Sequence, residues 1–413
     1  MSKRALSEVD DTVASPAKRL RHDTQQLAYP SPTSAPRGPT PPFQQPTQLI
    51  SFSYTPERVL EFDDSALRYF VQPPNGAQLG HAYERWNRRP ESRPRIDGLL
   101  RAFSTVRAKS HPALASGPVG VVSWRGVMTR ILTAPYAEER DGWELNVMSV
   151  GGVLYFEEFL SEARLEDKNN LEPRQRRQTY FGYAFESYCT ADKPGVPNVP
   201  QHPGDPPGWG GDVDTNVQWC SVVRTKLGDT RMVIGGEVDC VRDKYTGTTD
   251  TFVELKTSLV IRGPQDSVKF EKYSECIARL LLLMIGYRKL LKFYMQSFLL
   301  GVPEILVGFR TPSGQVTTTQ TFKTVEIPRL VRGKGPHAWD PSVCFAWGDA
   351  FLEFLKTQIR DKEERTVWRV AFRPKVGVEL RVLDDKEVEG VVAGEERVGF
   401  LPQWYWDEVV TEK

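Results

Sequence analysis

Cysteine is scarce in this chain of 413 residues: there are five, and none forms a C-x-x-C pair. An odd, widely spaced set (Cys189, Cys220, Cys240, Cys276, Cys344) argues against a disulfide scaffold and a zinc ribbon, and fits a reducing compartment. Histidine is as scarce, also five residues, and no H-E-x-x-H pair is available to bind zinc. Net charge is nearly absent. Lys plus Arg (54) against Asp plus Glu (53) leaves +1, so a nucleic acid must be met by a local patch. An uninterrupted apolar run is missing as well. The most apolar stretch, Leu280 to Leu300, is broken by Arg288, Lys289 and Lys292, which argues against a membrane span and a membrane partner. No signal-peptide pattern opens the chain, and it reads as a soluble intracellular protein. Hydrophobic residues at 39% and charged residues at 26% give it enough apolar material for a sizeable core.

Composition divides the chain. Residues 1–48 hold eight prolines mixed with Ser, Thr and Gln, and read as a disordered arm. Within it Lys3-Arg4 and Pro16-Ala17-Lys18-Arg19-Leu20-Arg21 form a short basic cluster. Such a cluster serves nuclear import, or is simply a solvated charge run; at a disordered end of a neutral chain, import to the nucleus is the expectation. Residues 49–400 read as one domain, with the Pro/Gly-rich stretch 193–211 as a surface loop, and 401–413 as a C-terminal tail.

Apolar alternation predicts strands over Val119–Trp124, Trp143–Val150, Val153–Glu157, Thr251–Thr257, Glu304–Arg310 and Val316–Val325. Val217–Thr225 and Arg231–Arg242 read as a hairpin joined at Gly228-Asp229. Helical spacing appears over Arg174–Tyr188, over Ser267–Leu300 with a break near Gly286, and over Pro341–Ile359; more strands follow Thr366. Interleaved strands and helices give an α/β (α+β) class, with mixed β-sheets flanked by helices.

The chemistry concentrates in Gly235-Gly236-Glu237-Val238-Asp239, followed by Glu254-Leu255-Lys256. Side chains two apart on a strand share a face, so Glu237 pairs with Asp239, and Glu254 with Lys256. If the two strands pair, three carboxylates and one ammonium converge on one patch of a sheet. Glu186, in Gly182-Tyr183-Ala184-Phe185-Glu186, adds a fourth acid from a helix. Four acids against one lysine repel one another or raise each other's pKa, and divalent cations resolve that conflict. Oxygen ligands without a His/Cys set suit Mg²⁺ or Mn²⁺, one or two ions. Such ions activate water beside a phosphate, with Lys256 stabilising the transition state. Acid, spacer, Glu-x-Lys is the logic of a PD-(D/E)XK nuclease core. The competing reading is a pair of solvent-facing charge ladders on exposed strands. Lys292 and Gln296 stack four apart on the long helix, beside Arg288, and Arg125 and Arg310 each end an apolar strand. Arginines so placed bind phosphate or form surface ion pairs, and the helical polar groups reach a cleft or snorkel round a core helix.

The ordered set Trp124-Arg125-Gly126, GYAFE (182–186), GEVD (236–239), ELK (254–256), KFYMQSFLLGVP (292–303) and GFR (308–310) closely resembles the DXO/Dom3Z decapping and deNADding family, in its fungal nuclear branch. The resemblance spans roughly Leu60 to Phe372. It implies a metal-dependent hydrolase of RNA 5′ ends that removes incomplete caps, NAD caps or pyrophosphate. The product is 5′-monophosphate RNA, and the implied partner is a nuclear 5′-to-3′ exoribonuclease. By the same resemblance Glu186, Glu237, Asp239 and Glu254 match metal-binding acids, and Leu255 a ligand through its backbone carbonyl. Lys256 and Gln296 match residues near the scissile phosphate, and Arg125 matches an RNA-binding arginine; Lys292 and Arg310 are further phosphate-binding candidates by their positions on the helix and strand end alone. A DNA nuclease of PD-(D/E)XK type, and a mainly non-catalytic stabiliser of the exoribonuclease, are the alternatives.

Overall fold

A computed structural model describes residues 24–29, 39–260, 286–333, 338–359 and 364–411. Two mixed sheets dominate. The larger has ten strands in the order β1 (Gln25–Ala28), β16 (Gly377–Val382), β15 (Trp368–Arg373), β6 (Trp143–Val150), β7 (Val153–Phe159), β5 (Val121–Trp124), β10 (Thr230–Glu237), β9 (Gln218–Leu227), β2 (Phe43–Tyr54) and β3 (Leu60–Glu61). The smaller has six, in the order β14 (Val316–Lys323), β13 (Glu304–Arg310), β12 (Phe252–Leu259), β11 (Cys240–Val241), β4 (Tyr69–Phe70) and β8 (Thr190–Ala191). A short ladder, β17 (Arg397–Val398) with β18 (Leu401–Pro402), lies near the C-terminus.

The expected strands are present almost to the residue, and so is the hairpin. Leu227 faces Thr230 across Gly228-Asp229, where Gly228 takes φ +54° and a Cβ would meet Asp349 Oδ1 at 2.0 Å. Only glycine satisfies both the turn and the neighbour. Helices α1 (Asp97–Ala108), α2 (Arg125–Thr133), α3 (Glu162–Asn169) and α4 (Pro173–Cys189) precede the smaller sheet's main strands. After them come α5 (Tyr287–Leu300), α6 (Ile327–Val331), α7 (Pro341–Ile359), α8 (Asp385–Val392) and α9 (Gln403–Thr411). Helix α5 begins directly after Gly286, whose φ of +79° cannot continue a right-handed helix. The expected break is therefore in place, and the portion of that helix expected over 267–285 lies outside the described residues.

Apolar packing explains how the site is held. One core cluster joins α2, α5 and α7 to both sheets through Met128, Leu132, Met295, Leu299, Val307 and Phe351. Another binds α4 to the smaller sheet through Phe181, Phe185, Leu255 and Leu306. The two sheets thus share a wall of helices. No helix among the described residues is long and apolar enough to cross a membrane, and Cys189, Cys220, Cys240 and Cys344 are buried free thiols.

The chain's ends differ from expectation. Within 1–48, Gln25–Ala28 pairs antiparallel with β16, and β2 starts at Phe43, whose ring lies 4.8 Å from Phe298 and 5.5 Å from Phe345. Proline composition hid this strand; Pro46 falls where the β2–β9 register shifts, a place where a missing N–H is tolerated. The basic cluster at 3–21 lies outside the described residues. At the other end, 401–411 is no loose tail. Leu401, Tyr405 and Trp406 are buried in the core around α1 and β7. The loop 193–211 is irregular, as expected, but it is pinned by buried Trp209 against Tyr188 and His81.

Candidate active site between the two sheets

Strand β10 ends at Glu237, and the chain then changes sheet. Val238 donates its N–H to the Trp219 carbonyl at 3.0 Å, and β11 begins at Cys240 in the smaller sheet. The strand expected over Arg231–Arg242 is thus two strands: β10 does not pair with β12, and it is β11 that does, Cys240 against Val253. The acids meet across the seam between sheets instead of on one face. Asp239, at the crossing, accepts the Leu255 N–H at 2.6 Å, which locks it beside β12. Glu254 and Lys256 share a face of β12, with Lys256 Nζ 2.6 Å from Glu254 Oε1 and 3.7 Å from Asp239 Oδ2. Arg125, first residue of α2, donates to Glu254 Oε2 at 2.9 Å.

Two glycines let these parts approach. A Cβ on Gly236 would lie 2.9 Å from Leu300 Cδ1 and 3.0 Å from Arg125 Cβ; one on Gly235 would lie 2.8 Å from the Trp124 ring. The bare backbone of β10 is the surface on which α2 and α5 rest. Glu186 enters from α4, where Phe181 and Phe185 anchor the helix to the smaller sheet. Gln218 donates to Glu237 Oε2 at 2.8 Å.

Charge is unevenly matched. Burial alone would raise the Glu254 carboxyl, but Arg125 and Lys256 outweigh it and hold the group at about 2. Burial likewise works against charge on Lys256, yet Asp239 and Glu254 keep its ammonium well above the usual lysine range. Glu237 is the opposite case. Burial and then the Asp239 charge push it up to about 7. Burial, Asp239 and Glu237 push Glu186 well above the carboxylate range, and burial also raises Asp239. Three acids are thus short of positive charge while the fourth is saturated.

The donor set is all hard oxygen; among the described residues Glu186 and Glu237 have no ion-pair partner and Asp239 has only the 3.7 Å contact with Lys256, so its chemistry fits Mg²⁺ or Mn²⁺. Among the described residues no three His, Cys, Asp or Glu side chains close on a common point as a finished metal cage. The physical reason is visible: Arg125 and Lys256 occupy Glu254, and Leu255 occupies Asp239.

Two cavities meet at the acids. One, of about 600 Å³, is lined by Tyr54, Arg58, Arg89, Arg125, Glu237 and Gln296. The other, of about 270 Å³, is lined by Arg68, Glu186, Asp212, Asp214, Glu237 and Asp239. Tyr183, Thr215, Gln218 and Glu237 border both. The site is thus a cleft with a basic arm and an acidic arm.

Of the sequence candidates, Glu186, Glu237, Asp239, Glu254, Leu255, Lys256, Arg125 and Gln296 come together here. Two do not. Lys292 sits in a separate cavity of about 640 Å³, 3.6 Å from Asp141, where Arg288 also pairs. Four residues along a helix leave the two side chains on one face but about 6 Å apart along the axis, and that displacement sets Lys292 and Gln296 against different neighbours. Arg310 is buried, with its guanidinium 4.8 Å over the Phe181 ring, and lines neither arm. That separate cavity is not the site, because it holds none of the converging acids. Gln218 and Tyr183 escaped the sequence reading. The hairpin register, extended two residues past Glu237–Cys220, would have placed Gln218 beside Glu237.

Residues 44–277 and 286–406 match the family described as RAI1 like PD-(D/E)XK nuclease. The chain belongs to this family. It is 34% identical over 485 residues to the decapping nuclease RAI1 of Mycosarcoma maydis, covering 94% of this chain and 92% of that one. It is 33% identical over 422 residues to the decapping and exoribonuclease protein of Bos taurus, covering 100% and 96%. Among solved structures it is similar to S. pombe Rai1 in complex with 3′-FADP, at 25% identity and a TM-score of 0.66, over 87% of this chain and 100% of that one. The RAI1-like fold is the mixed-sheet nuclease architecture expected from the acid and lysine spacing.

Proposed function

We propose that this RAI1-like protein is a divalent-metal-dependent hydrolase of RNA 5′ ends. It removes incomplete caps, NAD caps and the pyrophosphate of 5′-triphosphates, and it leaves 5′-monophosphate RNA. The observation that carries this reading is the seam itself, where four carboxylates, Lys256 and Arg125 meet between a basic and an acidic arm. The relatives' names, decapping nuclease and decapping and exoribonuclease protein, describe the same chemistry. The yeast protein's 3′-FADP is of the same dinucleotide class as an NAD cap.

Glu186, Glu237, Asp239 and Glu254, with the Leu255 carbonyl, would hold one or two Mg²⁺ or Mn²⁺ ions. When bound, such ions supply an activated water and neutralise charge on a phosphate oxygen. The chain's own residues do the rest. Gln218 fixes the Glu237 carboxyl through its 2.8 Å hydrogen bond. Lys256, charged at every working pH, offers its ammonium to the phosphate oxygens. Arg125 holds Glu254 in place and lines the basic arm opposite Gln296, where the RNA phosphate enters. Attack on a phosphorus releases the cap, pyrophosphate or first nucleotide, and water supplies the oxygen and protons.

The same reading extends to cell context. A 5′-monophosphate is what a 5′-to-3′ exoribonuclease consumes, and Lys3-Arg4 with Lys18-Arg19 suits nuclear import; a nuclear exoribonuclease is therefore the proposed partner. The test of function is product analysis on RNAs that differ only at the 5′ end, together with calorimetric Mn²⁺ titration. Glu237→Ala with Asp239→Ala is expected to abolish release of 5′-monophosphate RNA and to weaken Mn²⁺ binding. Undiminished Mn²⁺ binding in that variant, or cleavage of duplex DNA in preference to RNA ends, would overturn the reading.

A further inference from the structure

The basic arm of the cleft contains five arginines, and three of them are already satisfied. Arg93 pairs with Glu162 at 2.8 Å, Arg95 with Glu157 at 3.1 Å and Glu395 at 2.9 Å, and Arg125 with Glu254 at 2.9 Å. The cavity's Asp97 is taken by Arg397 at 2.6 Å. Among the described residues Arg58 and Arg89 have no carboxylate partner, though both line this cavity beside Tyr54 and Thr215.

Arg58 is also held in a posture that the chain does not adopt freely. It sits on the turn between β2 and β3 with φ +65°, a left-handed conformation costly for a residue with a Cβ. Its Nη1 donates to the Asn216 carbonyl at 2.7 Å, and its guanidinium lies 3.7 Å from the centre of the Tyr54 ring. Burial, and then repulsion from Arg89, lower its pKa, so the two guanidinium groups are close enough to oppose each other. Glu237 offsets this only in part, and two like charges fixed together without a salt-bridging acid want an anion. Their cavity reaches Glu237, Arg125 and Gln296, which places that anion on the substrate side of the reaction.

We propose that Arg58 and Arg89 form a phosphate clamp for the body of the RNA, one or more nucleotides 3′ of the reacting bond. The inference rests on the RNA 5′-end reading above and adds to it the direction of the strand: the polynucleotide leaves through the basic arm, and the acidic arm receives the 5′ group. A planar guanidinium stacked on Tyr54 grips a phosphate bidentately and leaves the ring edge for the adjoining sugar.

Binding tests this apart from catalysis. Fluorescence anisotropy with 5′-phosphorylated single-stranded RNAs of two and ten nucleotides is measured on the full chain across a salt series. Arg58→Gln with Arg89→Gln is expected to weaken the ten-nucleotide RNA about tenfold and the dinucleotide much less. The slope of log affinity against log salt should flatten by about 0.7 for each phosphate that is no longer neutralised. Arg58→Lys with Arg89→Lys should keep most of the slope and recover part of the affinity, since Lys retains charge without the fork. An unchanged slope and affinity in the Gln variant, with an intact thermal melt, overturns the clamp. Normal RNA binding by a wild type that releases no 5′-monophosphate RNA would overturn the function and leave the clamp standing. Absence of RNA binding by the wild type removes both.

Discussion

The end of β10 and the middle of β12 carry the same residue type into the same cleft, with opposite results. Glu237 is pushed up to about 7, whereas Glu254 is held at about 2. Burial acts on both. What separates them is the placement of two cations: Arg125 at 2.9 Å and Lys256 at 2.6 Å both touch Glu254, and Glu237 has only the neutral Gln218 amide. One glutamate is structural in the metal-free protein, and the other waits for charge from outside.

The strongest way to break this contrast is Glu254→Ala. It leaves Lys256 and Arg125 inside the cleft without their main partner, and a buried pair broken on one side costs about 3–5 kcal/mol. Glu237→Gln should cost less than about 1 kcal/mol, because it removes a charge that Arg125 and Lys256, both bonded to Glu254, offset only in part. Urea denaturation of both variants without metal checks this, and equal losses would show that the cations do not discriminate between the two acids.

A smaller effect sharpens the same contrast through pH. The folded state holds Glu237 near 7 against an ordinary value of 4.5, so it binds more protons than the unfolded chain between those limits. Stability of the metal-free protein therefore falls as pH rises through that window, by an amount on the order of 2 kcal/mol. Glu186 and Asp239, raised likewise, add to the same slope. Glu254 works the other way: its contribution is present above about 4.5 and is lost as pH falls toward 2. Thermal melts from about pH 5 to 7 in chelator should show the decline, Mn²⁺ should abolish it, and Glu237→Gln should reduce it. A flat profile in the wild type would contradict the burial of uncompensated charge.

The smallest effect belongs to Lys292. Its partner, Asp141, is 3.6 Å away in a different cavity, and its side chain is 55% exposed. Lys292→Ala should change RNA 5′-end turnover by less than about twofold, as expected of an exposed pair. A larger loss would connect that cavity to the reaction after all.

Most strands and the class of fold were legible because short, largely apolar runs of strand length mark the central strands, as in Trp143–Val150 and Glu304–Arg310, which are buried on both faces. The separation of β10 from β12 was not legible. Nothing in Glu237-Val238-Asp239 marks a change of sheet, since one buried valine continues the alternation while the backbone turns away. Side-chain reach was only half legible. Lys292 and Gln296 obey the same helical spacing, yet Gln296 borders the acids and Lys292 does not, because neighbours decide which flank of α5 is open. Strand β2 hid in proline-rich sequence, since its anchor, Phe43, is a single aromatic among polar residues.

The change of sheet at Val238 gives the protein a built-in gauge of its own alignment. Glu237 hangs from one sheet and Glu254 from the other, and the covalent bridge at the seam, from the end of β10 to the start of β11, is two residues long. A slip of one layer past the other by about an ångström would leave every strand, every ladder hydrogen bond and most buried surface as they were. It would nonetheless part Asp239 from the Leu255 amide and Lys256 from its two acids. Warming should therefore silence the enzyme before it melts, and whatever braces one layer against the other should preserve turnover without altering any residue of the cleft.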